Sequence, residues 1–408
     1  MHPARPRPYL AVLALTACAL LAACGKGPEA GSRGPAGTLA PVTKQGAVSV
    51  STRNTTRLGG ADVESDAAAV ARAVYPGLTT GTRPQSVLLI GKDDWPAALS
   101  ASVLASAPMG WPVLFSDADK LPDVTRETLE AMRPTGTSAL SGAQVVRIGT
   151  EAAPPAGLIT RTLTGGGPAA TAAAVERLLR SASGGIEPRQ VIIVGVNTPH
   201  ALSMPAAGLA AESGAPILLV TRAGVPNATA AVLRSLHHPS IYVIAANAGI
   251  SPLTLARLHN FGPVTEISKG NAPTETAATN SVAVARFTDG TFGWGVKDPG
   301  HGLVFASALR PLDAPASALL SATAQYGPLL LLERATAIPA VLAAYLGNIQ
   351  PAYTAAPEYR PVRGVYNHGW LIGDEEASTG VTQSELDSLL EISPREPNAE
   401  EASATQAE

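Results

Sequence analysis

A pattern that returns three times constrains this chain more than any other feature. Gly60, Gly165 and Gly270 stand 105 residues apart, and each is followed seven residues later by an alanine (Ala67, Ala172, Ala277) that opens an Ala-rich stretch. A second marker is a proline before an apolar run: Pro112-Val113-Leu114-Phe115, Pro216-Ile217-Leu218-Leu219 and Pro328-Leu329-Leu330-Leu331. A third is another proline 10, 10 and 11 residues further on, at Pro122, Pro226 and Pro339. Three markers in one order, three times over, describe one folding unit used repeatedly, each copy burying its apolar face against its neighbours.

Within a copy, helix and strand patterns alternate. In the second, residues 170–180 carry Ala, Val and Leu at helical spacing, and Gln190-Val191-Ile192-Ile193-Val194-Gly195 reads as a strand buried on both faces. Residues 199–212 then read as one helix, 216–221 as a strand, 227–236 as a helix and 241–244 as a strand. Matching strands are predicted at 87–91 and 112–116 in the first copy, and at 302–306, 328–332 and 369–373 in the third. The proline before each second strand has a reason to recur: it lacks an N–H, which a strand tolerates at its first residue and not in its middle. Strands alternating with helices imply right-handed βαβ units and a mostly parallel sheet. Hydrophobic residues make up 46% of the chain but aromatics only 4%, so the core must be built from Ala, Val, Leu and Ile, which suits closely layered α/β packing.

The flanks carry an address. Arg5 and Arg7 precede an apolar stretch, Tyr9 to Leu21, too short for a comfortable membrane span. It ends in Leu21-Ala22-Ala23-Cys24, which fits the cleavage site of a bacterial lipoprotein signal, with Cys24 as the lipidated residue. The expected organisation is a signal peptide at 1–23, a lipidated Gly/Pro/Ala/Ser-rich tether at 24–47, repeats at 48–158, 159–263 and 264–392, and a disordered acidic tail at 393–408. Cys18 leaves with the signal and Cys24 is consumed by lipid, so the mature chain has no thiol for disulfide, thiolate or metal chemistry. The formal net charge of −3 gives no basic footprint for nucleic acid, while a local basic patch for an anionic polymer stays open.

The ordered markers resemble the cell wall-binding repeat type 2 family. Its modules open with an Arg-apolar-x-Gly segment and continue through an Asp-Ala-Leu-Ser-like turn, a Pro-Ile-Leu-Leu strand and a Leu-Pro. Here the first copy has Arg57-Leu58-Gly59-Gly60, Ala97-Ala98-Leu99-Ser100, Pro112-Val113-Leu114 and Leu121-Pro122. The second has Thr162-Leu163-Thr164-Gly165, His200-Ala201-Leu202-Ser203, Pro216-Ile217-Leu218-Leu219 and Val225-Pro226. The third has Glu275-Thr276-Ala277, Pro328-Leu329-Leu330-Leu331 and Ile338-Pro339. The family's opening is followed by an Arg-Tyr-Glu-Thr-Ala-like stretch, whose Arg-Tyr pair is replaced here by Val63-Glu64, Pro168-Ala169 and Pro273-Thr274. The resemblance implies three toprim-like α/β modules in a pseudo-threefold body that holds an anionic polymer of the bacterial wall without catalysis.

Other motifs weigh less. Asp117 and Asp119 form an Asp-x-Asp after a strand, but the corresponding residues are Thr221-Arg222-Ala223 and Glu333-Arg334-Ala335, so a solvated loop explains them better than a metal site. Gly165-Gly166-Gly167 before a helix could bring backbone N–H groups to an anion, or simply form a turn between modules. His237 and His238 lack further residues at metal-ligand spacing, and no Gly-x-Ser-x-Gly elbow is present. Trp95, Trp111, Trp294 and Trp370 could stack on sugars or be buried between modules. The sequence therefore predicts a non-enzymatic lipoprotein, anchored in the cell membrane and facing away from the cytoplasm. It would bind an anionic cell-wall polymer or envelope polysaccharide without cofactor or metal, in clefts near Arg57, Lys92 and His200. Two other readings are a scaffold for another envelope protein and a divergent envelope hydrolase or transferase.

Overall fold

The computed structural model describes residues 48–268, 276–322, 327–354 and 366–395. Cys24, the signal, the tether and residues 396–408 of the acidic tail lie outside the described residues. Strand β1 (Val48–Ser51) leads into a first copy of β2 (Thr55–Gly59), α1 (Val63–Val74), β3 (Val87–Gly91), α2 (Trp95–Ala101), β4 (Val113–Ser116), α3 (Asp123–Met132) and β5 (Val145–Ile148). The second copy runs β6 (Thr160–Leu163), α4 (Pro168–Ala182), β7 (Gln190–Gly195), α5 (His200–Ser203), α6 (Pro205–Ser213), β8 (Ile217–Val220), α7 (Asn227–Ser235) and β9 (Ser240–Val243), then α8 (Ala246–Gly249) and α9 (Pro252–Leu258). The third runs β10 (Val264–Glu266), α10 (Ala277–Arg286), β11 (Gly302–Ser307), α11 (Asp313–Ala322), β12 (Leu329–Leu332), α12 (Ala340–Asn348), β13 (Ala352–Thr354), β14 (His368–Ile372), α13 (Gly380–Leu390) and β15 (Ser393–Arg395). The expected α/β class with parallel βαβ modules is what the chain adopts. Among the described residues no helix is long and apolar enough to cross a membrane.

The recurring prolines act as their chemistry dictates. Pro112, Pro216 and Pro328 sit just before β4, β8 and β12, and each gives its carbonyl to the neighbouring strand: Leu88 N–H donates to Pro112 at 2.9 Å, Ile192 to Pro216 at 3.0 Å and Val304 to Pro328 at 3.1 Å. The donor that proline lacks is therefore not needed there. Pro122, Pro226 and Pro339 take the cap position of α3, α7 and α12 with φ near −58° and extended ψ, and their carbonyls accept the first helical bonds. The predicted helix at 199–212 is interrupted: α5 and α6 are separate because Pro205 has no N–H to give to the preceding turn.

Three larger sheets result, ordered β6-β5-β3-β4, β10-β9-β7-β8 and β1-β2-β14-β11-β12, and β13 pairs with β15 in a two-stranded sheet; the pairing is parallel throughout except for the antiparallel β1–β2 pair. The opening strand of each copy therefore pairs outside its own copy. β6 joins the sheet of the first copy, beside β5, and β10 joins that of the second, beside β9. β2, from the first copy, pairs with β14 of the third, with Arg57 beside Leu371 and Leu58 beside Ile372. The exchange of strands closes on itself, and the last junction is made between segments far apart in sequence.

The middle of the molecule is formed by α6 and α11, with the 3₁₀ turn Ser102–Ala105 that prolongs α2 packed against them. Residues 205–211 of α6 and 313–321 of α11 are buried on every side. A helix covered all round must be small and apolar where it meets its neighbours. Where α6 meets α11, a Cβ on Gly208 would lie 2.8 Å from the Ser321 hydroxyl, so a larger residue requires that hydroxyl to shift.

Candidate functional site

Ligands of open parallel sheets bind beyond the carboxyl ends of the strands, and the three sheets differ most there. Where β2, β11 and β14 end, Arg310 reaches three carboxylates: its Nη2 is paired with Asp66 on α1, its Nε lies 3.4 Å from Asp313 at the start of α11, and its Nη1 lies 3.3 Å from Asp374 after β14. Asp66 also accepts the Gly60 N–H at 2.8 Å. Asp66 and Asp313 have no solvent exposure. Burial, reinforced by the neighbouring carboxylate, pushes both above the ordinary carboxyl range, and Arg310 offsets this only in part. Beside the cluster lies a cleft of about 420 Å³, bordered by Asp62, Ser307, Arg310, Asp313 and Glu376.

The residues nominated from sequence occupy different surroundings. Arg57 is 9% exposed. Its guanidinium donates to Gln383 Oε1 (3.1 Å), Ser378 Oγ (3.0 Å) and the carbonyls of Gly373 (3.1 Å), Asp374 (2.7 Å) and Ser378 (2.7 Å). Its donors are thus engaged in fastening β2 to the third copy. Lys92 Nζ bridges Glu64 at 2.9 Å and Asp117 at 2.6 Å, and these hydrogen bonds raise its pKa. The Asp-x-Asp aspartate Asp117 is accounted for by the same bridge. His200 is exposed at the start of α5, with its ring 4.9 Å from that of Trp95 in the first copy, and partial burial lowers its pKa. Trp95, Trp111 and Trp294 are buried, which favours packing over sugar stacking for these three. Arg57 thus sits in the β2–β14 junction, Lys92 between Glu64 and Asp117, and His200 against Trp95.

The Arg310 cluster escaped the sequence reading; its signal was a break in the repeat, since Asp66, six residues after its marker glycine, stands where the other copies carry Thr171 and Thr276. The three positions compared from sequence fall just after the edge strands: Asp117 after β4, Thr221 after β8 and Glu333 after β12. In the third copy, Glu333 Oε1 accepts the Ala278 N–H at 3.1 Å in the first turn of α10. In the first copy, Asp62 caps α1 by accepting the Ser65 N–H at 2.9 Å, and the neighbouring cleft of about 500 Å³ is rimmed by Glu64, Asp117, Asp123 and Glu127. In the second copy, α4 starts after Gly167 at φ 116° with no side-chain cap. Its first turn borders a cleft of about 290 Å³ with Thr221, Pro226 and Ala228, and no charged side chain lines it among the described residues.

No family model matches the sequence, and no curated protein matches it either. Solved structures do share its fold. Cwp6 from Clostridium difficile superimposes with a TM-score of 0.63 at 15% identity, over 86% of this chain and 52% of that one. Cwp8 from Clostridium difficile gives a TM-score of 0.61 at 15% identity, over 83% of this chain and 52% of that one. The chain thus spans about half the length of these two structures, and the likeness is one of fold.

Proposed function

We propose that this chain is a non-catalytic cell-envelope protein, tethered to the outer face of the membrane by lipid on Cys24, whose pseudo-threefold body binds an anionic wall polymer. The observation that carries the reading is the uncapped start of α4. Backbone N–H groups at a helix start, with the positive end of the helix dipole behind them, accept an anionic group. The first and third copies fill the corresponding place with carboxylates of their own, Asp62 and Glu333. The second leaves Gly166, Gly167 and the start of α4 facing a cleft with Thr221 at its side. An acidic group of a polymer fits there as Glu333 fits the third copy. The clefts rimmed by Asp62, Glu64 and Asp117 would repel the same polymer, so the site moves from the neighbourhood of Arg57 and Lys92 to the second copy.

The buried carboxylates do not favour the hydrolase reading. A catalytic acid must reach its substrate, and Asp66 and Asp313 have no exposed surface.

The test is a pull-down of the purified full-length chain with envelope polysaccharide from its host, across a salt series. Binding should weaken as salt rises. Thr221→Glu, which places the third copy's carboxylate in the second copy's cleft, should abolish binding while leaving unfolding unchanged. An absence of binding at low salt overturns the polymer reading and points to a protein partner. Undiminished binding by Thr221→Glu overturns the site.

A further inference from the structure

We propose that the junction between the first opening segment and the last repeat is a pH-dependent clasp, closed while the Asp66–Asp313 pair retains a proton and loosened when both carboxylates ionise. The inference is independent of what the body binds.

The argument starts from connectivity. β6 follows β5, and β10 follows β9, within the same stretch of chain, so short linkers hold those junctions together. The β2–β14 junction has no such linker: Arg57 and Gly373 are 316 residues apart, and Asp66 and Arg310 are 244 apart. Contacts alone must hold it: the β2–β14 ladder, the hydrogen bonds of Arg57, and the Arg310 cluster, whose carboxylates titrate. At the β2 position of Arg57, the corresponding β6 residue is the neutral Thr162, which pairs in register with Arg147 as Arg57 does with Leu371. Three residues past the central strand, the place of Arg310 is taken by Asp94, which caps its own helix at Ala97 N–H, and by Thr198.

The charges at the clasp do not balance. Asp66, Asp313 and Asp374 share one guanidinium, Arg310. Other charged groups on the elements around the pair are Asp62 and Glu64 at the start of α1, Arg57 on β2, Glu375 and Glu376 in the turn after β14, and Asp123, Arg126, Glu127 and Glu130 on α3, which packs on α1. Arg57 is committed to carbonyls and neutral side chains, so it does not neutralise the pair. On the far side, α6 presents the buried Pro, Ala, Gly and Leu of residues 205–211 and carries Glu212 in its last turn, and β4 presents Val, Leu, Phe and Ser. Both carboxylates ionised would leave unbalanced negative charge on two groups without solvent-exposed surface, and a retained proton relieves it.

The direction follows from linkage. A carboxyl whose folded pKa lies above its unfolded value favours the folded junction fully below the unfolded value, and that contribution is lost as pH rises through the folded values. Burial holds the release of protons from the pair above the ordinary carboxyl range, in steps that belong to the pair rather than to either residue. The clasp should therefore weaken from mildly acidic to mildly alkaline pH.

Hydrogen exchange of the full-length chain, followed by mass spectrometry from pH 5.5 to 8.5 and corrected for intrinsic exchange, tests this. Protection in Thr55–Val74 should fall by about tenfold or more across the series, the change a one-unit pKa shift confers, relative to the matched segment Thr160–Ala182. Asp313→Asn, uncharged at every pH, should flatten the difference, and Asp66→Asn serves if that variant does not fold. Parallel behaviour of the two wild-type segments overturns the proposal without any variant, as does an unchanged slope in a folded Asn variant.

Discussion

Arg310 and Asp66, 244 residues apart in sequence, form an ion pair at the place where the first and last repeats meet. Neither residue belongs to a motif shared by the three copies. At the β5–β6 junction the matching place holds a different contact, Arg147 donating to the neutral Thr162 at 2.9 Å.

Arg310→Met should be costly because it strands carboxylates rather than removing a single bond. Taking one partner from a buried ionic group costs roughly 3–5 kcal/mol. Urea unfolding at neutral pH should register a loss of that order. The cost should shrink in an Asp313→Asn background, since the two changes share one network. Equal costs in both backgrounds would show that the two residues act separately.

Arg57→Lys should not rescue Arg57→Ala. The planar guanidinium serves acceptors in several directions, including three main-chain carbonyls, and an ammonium cannot reproduce that fork. Each buried acceptor left unpaired costs about 1–3 kcal/mol, so both variants should lose at least about 2 kcal/mol in denaturant titrations. Polymer binding by whatever fraction remains folded should be unaffected. A folded Arg57→Lys protein with selectively lost binding would restore Arg57 as a ligand residue.

Lys92→Ala should behave in the opposite manner. Its side chain is 38% exposed, so its bridge to Glu64 and Asp117 is screened by water. The expected loss is about 1 kcal/mol or less, read by thermal or urea unfolding. Removing this cation should not weaken polymer binding at any salt concentration in the pull-down.

Gly208→Ala tests the packing of α6 on α11. The added methyl meets the Ser321 hydroxyl 2.8 Å away, and overpacking of this kind costs about 1–3 kcal/mol. Ser321→Gly should recover most of that loss in a double-mutant cycle of unfolding free energies. Independent, additive effects would place the strain elsewhere.

The triplication, the parallel βαβ character and the roles of Pro112, Pro216 and Pro328 were legible in the sequence because each rests on local chemistry. Apolar runs such as Val191 to Val194 mark buried strands, and a missing N–H fixes where a proline can sit. Pro205 carried the same kind of signal, and the break between α5 and α6 was readable from it. Arg57 was nominated as a ligand residue; its partners lie beyond residue 370, and sequence could not choose between an external anion and main-chain carbonyls.

The repeat thus determined the unit, its layers and its order of elements, since periodicity and proline stereochemistry act over a few residues. Tertiary structure decided how the units exchange their opening strands, which cations are spent on the protein itself, and which helix start is left uncapped. Those outcomes depend on which distant groups share a small buried volume, where desolvation makes each charge find a partner or hold a proton. Asp66 and Arg310 carry no mark of one another in the sequence; the closing of β2 onto β14 brings them together.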